Sequence, residues 1–282
     1  MTDTEDRNPL RLVSWNVAGR VGRFGSQVEQ LSGYQADIVA LQETTARTIP
    51  MWRWAATEEL GLPYIIDSRS LAPDQTLLNG PRKYAQVFAS RFPLEALPPQ
   101  DFEVPWPERV LSVVIQAPGG DIEAHTTHIP PGSSNGWLKI AMFEGIHARL
   151  ARSHGGHRLL CGDFNMPRKE LPDGTVLYWG TRERANGELG RRRPERWCAG
   201  ERSVREGLAP FDLPEQYRLI NGYTERADTW IPTQGLHANP RRFDHLYASK
   251  SLSVVSCTYD HQPRVDRLSD HSVLIADMKP DQ

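Results

Sequence analysis

The sequence predicts a mixed α/β fold, on three observations. Short apolar runs repeatedly end on a polar residue, one strand–helix–strand unit opens the chain, and a central β-rich stretch is folded by turn residues. Arg11 to Trp15 ends at Asn16, and Asp37 to Leu41 ends at Gln42-Glu43. Both read as buried strands. Between them Val21, Phe24, Val28 and Leu31 recur at helical spacing, so strand, helix and strand follow in order. Pro50 suits the first turn of a helix over Met51 to Leu60, which Gly61 closes. Tyr84 to Ser90, Arg109 to Gln116 and Ile122 to Thr127 are β-rich, and Pro118-Gly119-Gly120 joins the last two as a hairpin turn. This stretch is expected to be antiparallel.

From Trp137 to Leu150, the residues Leu138, Met142, Ile146 and Leu150 line one helical face, which ends before the loop Ser153 to Gly156. Leu159 to Cys161, Phe243 to Ala248, Leu252 to Cys257 and Ser272 to Asp277 are the remaining strands. The exception is Arg168 to Glu206, where glycine, proline and charge replace periodicity. We read it as a long surface excursion, of a length uncommon in compact domains and often functional.

A chain of 282 residues with 39% hydrophobic and 24% charged residues has the composition of a soluble globular protein with a sizeable core. One domain over residues 10–282, preceded by a flexible N-terminus at 1–9, is expected. Cys161, Cys198 and Cys257 are odd in number and far apart, which argues against a disulfide framework or a cysteine zinc site. Residues 1–9 show no basic stretch followed by an apolar one, and no run is long enough to span a bilayer. A cytoplasmic location without membrane insertion is the simplest reading. A formal net charge of −2 gives no global attraction for a polyanion, so any nucleic-acid binding must come from a local basic patch.

Asn16, Glu43, Asp163 with Asn165, and Asp270 with His271 all follow apolar strands. Groups at strand ends can converge on one edge of a sheet, and clustered carboxylates there suit a hard cation, Mg²⁺ or Mn²⁺. Zinc would want more histidine or cysteine. Any one of these residues, taken alone, is equally a turn residue or a helix cap.

As an ordered set, Ser14-Trp15-Asn16, Leu41-Gln42-Glu43, Thr127-His128, Gly162-Asp163-Phe164-Asn165, Arg242-Phe243-Asp244-His245 and Ser269-Asp270-His271 resemble the endonuclease/exonuclease/phosphatase superfamily, over about Leu10 to Met278. The resemblance implies a four-layered α/β sandwich: two mixed sheets face to face, helices outside, and the site at one end. It also implies hydrolysis of a phosphate ester by water and Mg²⁺ or Mn²⁺. Glu43 would be a metal ligand with Asn16 beside it, and Asp270 a further metal-associated carboxylate. Asp163 would orient or deprotonate water, Asn165 would hold the phosphate, and His271, oriented by Asp244, would contact it. An Asp244 partner would fix the tautomer of His271 and raise its pKa. His128, read as projecting from a loop before Pro130-Pro131-Gly132, is in isolation as readily a buried structural histidine; the resemblance favours a phosphate contact, and sphingomyelinase-like and deoxyribonuclease-like members have a His here. Apurinic endonucleases usually have Tyr there and Asn where this chain has Pro131, which speaks against strict abasic-site activity.

Substrate choice rests on weaker signals. Residues 168–205 hold ten Lys or Arg against six Asp or Glu, with Trp179 and Trp197 interleaved. That mixture suits a nucleic-acid backbone and its bases, with Arg191, Arg192 and Arg193 as contacts; equally, it describes a solvated loop anchored by its tryptophans. Trp230 resembles a DNA-contacting aromatic of the exonuclease branch. Lys139, where many relatives carry Arg, is a candidate phosphate contact, and Glu144 is read as surface. A nuclease with DNA as partner leads. A lipid head-group phosphodiesterase and a small-molecule phosphatase are the alternatives, and an inactive binding module is disfavoured because Glu43, Asp163, Asp244 and Asp270 are all present.

Overall fold

A computed structural model of the chain describes residues 9–184, 186–232 and 239–281; the flexible N-terminus expected at 1–9 lies outside them but for its last residue. The first half runs β1 Leu10–Asn16, α1 Phe24–Tyr34, β2 Ile38–Thr44, α2 Ile49–Glu58, β3 Tyr64–Asp67, β4 Ala85–Ser90, β5 Leu94–Ala96, β6 Val110–Ala117, β7 Gly120–His128, α3 Gly132–Asn135 and α4 Trp137–Leu150. The second runs β8 His157–Asp163, β9 Lys169–Glu170, β10 Val176–Leu177, β11 Thr181–Glu183, β12 Leu189–Arg191, α5 Glu195–Arg205, α6 Gln216–Asn221, β13 Asp244–Ala248, β14 Leu252–Asp260, α7 Gln262–Val265 and β15 Val273–Pro280.

Two mixed sheets result, ordered β14-β15-β1-β2-β4-β3 and β13-β8-β7-β6-β5. Each holds one parallel pair, β1 with β2 and β7 with β8, flanked by antiparallel neighbours. A parallel pair needs a crossover, and α1 and α4 supply them. Strand alternation then builds the layers. Leu12, Ile38 and Ala40 point between the sheets, against Val113, Ala124 and Leu159, while Val13, Val39 and Leu41 point outward onto Leu31, Trp52 and Ala55. Leu160 likewise turns away from Leu159, towards Ile140, Phe143 and Ile146. With both faces covered, the strands read as unbroken apolar runs. The four layers implied by the motifs are therefore present.

Three expectations change. The central antiparallel stretch is divided: β4 sits between β2 and β3 in the first sheet, and β6 with β7 belongs to the second. The excursion at 168–206 is not a surface loop; it forms two short hairpins and the helix α5. Its hairpin strands are too short to show alternation, and the buried face of α5 includes Glu201 and Arg205 beside Trp197 and Val204, so no apolar stripe marks it. His128 is not on a loop either: it is the last residue of β7, in register with Asp163.

Candidate active site

The ends of the two parallel pairs meet at one edge of the sandwich. β1 delivers Asn16, β2 Glu43, β7 His128 and β8 Asp163, while β13 starts at Asp244, in register opposite Asp163. Asp270 and His271 arrive just before β15. The motif residues around them hold these ends in place. The Trp15 indole N–H donates to the His271 carbonyl at 3.2 Å, and the Ser269 hydroxyl donates to the Asn16 carbonyl. The Gln42 side chain donates to Thr126 of the facing sheet at 2.9 Å, pinning the two sheets beneath the site. Gly162 has φ +132°, and a Cβ there would lie 2.1 Å from the Thr127 carbonyl oxygen; only glycine lets β8 lie that close to β7.

Asp163 is the hub. Its carboxylate accepts from the Asn16 side-chain amide at 2.9 Å and from the Asn165 backbone N–H at 2.9 Å. The Nε2 atoms of His271 and His128 stand 3.6 and 3.7 Å from it. His271 Nδ1 meets Asp244 at 2.9 Å, and the Thr229 hydroxyl accepts the Phe243 and Asp244 backbone N–H groups. Burial alone would lower the His271 pKa, but the charges of Asp244 and Asp163 raise it to about 10; His271 is a standing cation. Burial raises the pKa of Asp163 and of Glu43, since neither carboxylate has its own Lys or Arg partner.

His128 behaves in the opposite way. Burial, then the positive charges of Arg109 and His271, push its pKa well down. Its Nδ1 contacts the Arg109 guanidinium. Arginine has only donors, so Nδ1 must be the acceptor and the proton sits on Nε2, aimed at Glu43 (3.4 Å) and Asp163. Arg109 was invisible in the sequence, being one basic residue at the start of a β-rich run.

Glu43, His128 and Asp163 offer ligand atoms within 4.8 Å of one another. Buried Asp163 and half-buried Glu43, neither with a Lys or Arg partner, fit a hard divalent cation; His128, carrying its proton on Nε2, fits the role of donor better than that of ligand. Asn16 lies beside both carboxylates, as expected, and donates to Glu43 at 3.2 Å. Asp270 accepts from the Trp230 indole at 3.1 Å and faces Arg20 at 3.8 Å, and lines the same cavity as Glu43 and Asp163.

All this forms the floor of a cavity of about 780 Å³. Tyr84 and Trp106 wall one side; Trp179, Trp197 and Trp230 line the rest, with Arg109, Arg192 and Arg193. Trp230 also stacks on Phe243, with centroids 5.2 Å apart. Of the three excursion arginines, Arg191 is exposed and paired with Glu195 at 2.7 Å, so only Arg192 and Arg193 reach the cavity. Lys139 lines it too but is 1% exposed. Its ammonium is held by the Asn165 carbonyl and Glu201, so it is an internal strut rather than a phosphate arm. Glu144 is at the surface, paired with Arg196.

Among the described residues, no helix is long and apolar enough to cross a membrane. No curated protein sequence matches the chain significantly. Solved structures do match in fold. An AP endonuclease from Archaeoglobus fulgidus superposes with a TM-score of 0.70 at 18% identity, over 96% of this chain and 99% of that one. TDP2 of D. rerio, complexed with single-strand DNA product, gives 0.66 at 14%, over 97% and 100%. The 3' phosphatase NExo from Neisseria, in a variant form bound to product DNA hairpin, gives 0.61 at 19%, over 96% and 99%. The model of the endonuclease/exonuclease/phosphatase family matches residues 13–271, nearly the whole length and every motif above, and the chain belongs to that family.

Proposed function

We propose that the chain is a Mg²⁺- or Mn²⁺-dependent phosphodiesterase that cuts DNA. The observation that carries this reading is the cavity floor, where buried Asp163 and half-buried Glu43, neither with a Lys or Arg partner, lie beside the cationic His271. A divalent cation on those oxygens would offset the negative charge that develops on a phosphoryl oxygen.

The chain's own groups supply the rest. Asp163 takes a proton from the attacking water as its oxygen bonds to phosphorus, the P–O ester bond breaks, and the leaving oxygen takes up a proton. His271 presents Nε2–H to a phosphate oxygen, and Asp244 keeps it charged and turned. His128 presents a second N–H from its neutral ring, and Asn165 a side-chain amide. Together the three donors form a cradle for an anion.

The walls favour nucleic acid over a lipid head group. Aromatic faces at Trp106, Trp179 and Trp230 suit base stacking, and Arg192 and Arg193 suit a neighbouring phosphate. Relatives in fold named for action on DNA support the same choice. The test is a substrate panel with Mg²⁺, comprising single-stranded, duplex and abasic DNA, RNA, sphingomyelin and inositol phosphates, each beside an Asp163→Asn control. DNA is expected to be turned over fastest and only by the native residue; faster cleavage of sphingomyelin or an inositol phosphate overturns the DNA assignment.

A further inference from the structure

We propose that Lys139 and Trp179 are positioning residues for Asn165, so that the excursion at 168–206 acts as a strut that sets the phosphate-holding amide. This rests on the reading of Asn165 given above. Asn165 has φ +50°, a left-handed conformation that is uncommon outside glycine and that a surrounding structure must enforce. The enforcement is visible at its carbonyl oxygen, which accepts from both sides: Lys139 Nζ at 3.1 Å and the Trp179 indole N–H at 3.0 Å. Both lone pairs of that oxygen are thereby occupied. The Asn165 backbone N–H is tied to Asp163, and its side-chain amide donates to the Ile129 carbonyl at 2.9 Å. Rotating the peptide after Asn165 would break two bonds at once and release the left-handed backbone from which that amide projects.

Both donors are themselves fixed by the excursion. The Lys139 ammonium pairs with Glu201 of α5 at 3.3 Å, and the other oxygen of Glu201 accepts from Gly180 N–H at 2.7 Å. Lys139 and Glu201 are 1% and 0% exposed. A buried pair of this kind costs desolvation and contributes geometry rather than net stability. Close packing leaves α5 no room to slide. A Cβ on Gly200 would lie 2.5 Å from the Ile140 side chain of α4, and one on Gly180 would lie 2.7 Å from Cys198 Sγ. Arg241 packs over the Trp179 ring at 5.5 Å.

The experiment uses Trp179→Phe, which keeps a ring in the cavity wall and removes one donor, and Lys139→Met paired with Glu201→Gln, which leaves no buried charge unmatched. Hydrogen exchange reports on Asn165 without reference to turnover. Its amide is expected to exchange about five- to tenfold faster in either variant, from the loss of one hydrogen bond, while the Leu160 and Cys161 amides of β8 keep their protection. With bis(p-nitrophenyl) phosphate and Mg²⁺, kcat should fall by a similar factor at nearly constant KM, and Lys139→Arg should restore most of it. Unchanged exchange at Asn165 overturns the proposal, as does faster exchange with unchanged kcat. If the native chain fails to turn over any phosphodiester, the hydrolase reading falls, and the exchange measurement still decides whether the strut exists.

Discussion

Two charge clusters lie in this molecule, each built around carboxylates, and they are put to opposite uses. Behind the sheet end, Glu170 is held by Arg205, Arg218 and Arg242, and Arg242 also reaches Glu215 at 2.6 Å. There every carboxylate has a guanidinium, burial is outweighed, and the pKa of Glu170 falls far below the carboxylate range. On the cavity floor, Glu43 and Asp163 have neither Lys nor Arg paired with them, and their pKa values rise. Complete pairing locks β9 and α5 against β13; incomplete pairing leaves a place for a cation and an anionic substrate. A cluster that is short of partners is where ligand binding can supply the missing interaction.

Opposite consequences of substitution follow. Asp163→Asn is expected to reduce kcat/KM on a phosphodiester by about 10²–10⁴-fold while moving the thermal midpoint far less than any change at Glu170. Comparable destabilisation at the two positions would erase the distinction between the clusters. Chelation should abolish turnover and Mg²⁺ or Mn²⁺ restore it, as read by kcat with and without excess chelator; turnover that survives chelation would sink the metal reading. Glu170→Ala, by contrast, removes the carboxylate shared by three guanidinium groups, of which Arg242 keeps Glu215, and should cost about 3–5 kcal/mol in denaturant unfolding.

The pH response sharpens the same contrast. Glu215 is buried, but the Arg242 charge and the neighbouring His245 imidazole, 3.4 Å away, lower its pKa from 4.5 to about 2. A carboxylate depressed in the folded state contributes stability that is present above pH 4.5 and lost as pH falls through about 2. The thermal midpoint should therefore drop across that window, and Glu215→Gln should flatten the drop. The smallest effect is reserved for the excursion arginines. Neutralising Arg192 and Arg193 should weaken oligonucleotide binding several-fold and flatten its salt dependence, whereas Arg191→Ala, already paired with Glu195, should change little. A fluorescence titration over a salt series reads both.

Much of this was legible in the sequence, and the misses share one cause. Local patterns marked β1, α1, β2 and α4 because alternation and helical spacing are written in neighbouring residues. Glu43 and Asp163 were legible because each lies at the end of an apolar strand. Their pairing was not. Lys139 read as a phosphate contact until Glu201, 62 positions later, was brought under it. The charged face of α5 read as solvent for the same reason.

By itself, then, the sequence determined a mixed α/β chain from strand and helix periodicity, and the resemblance carried by its ordered motifs implied the layered sandwich and grouped Asn16, Glu43, Asp163, Asp244 and His271 as one set, since periodicity and motif order are properties of the chain. Only the tertiary structure decided that Asp270 accepts from the Trp230 indole, that Arg109 fixes the proton of His128, and that the excursion folds as hairpins and a helix against the cavity. Charge energetics depend on burial and on partners within a few ångströms, and those distances exist only once the sheets have closed.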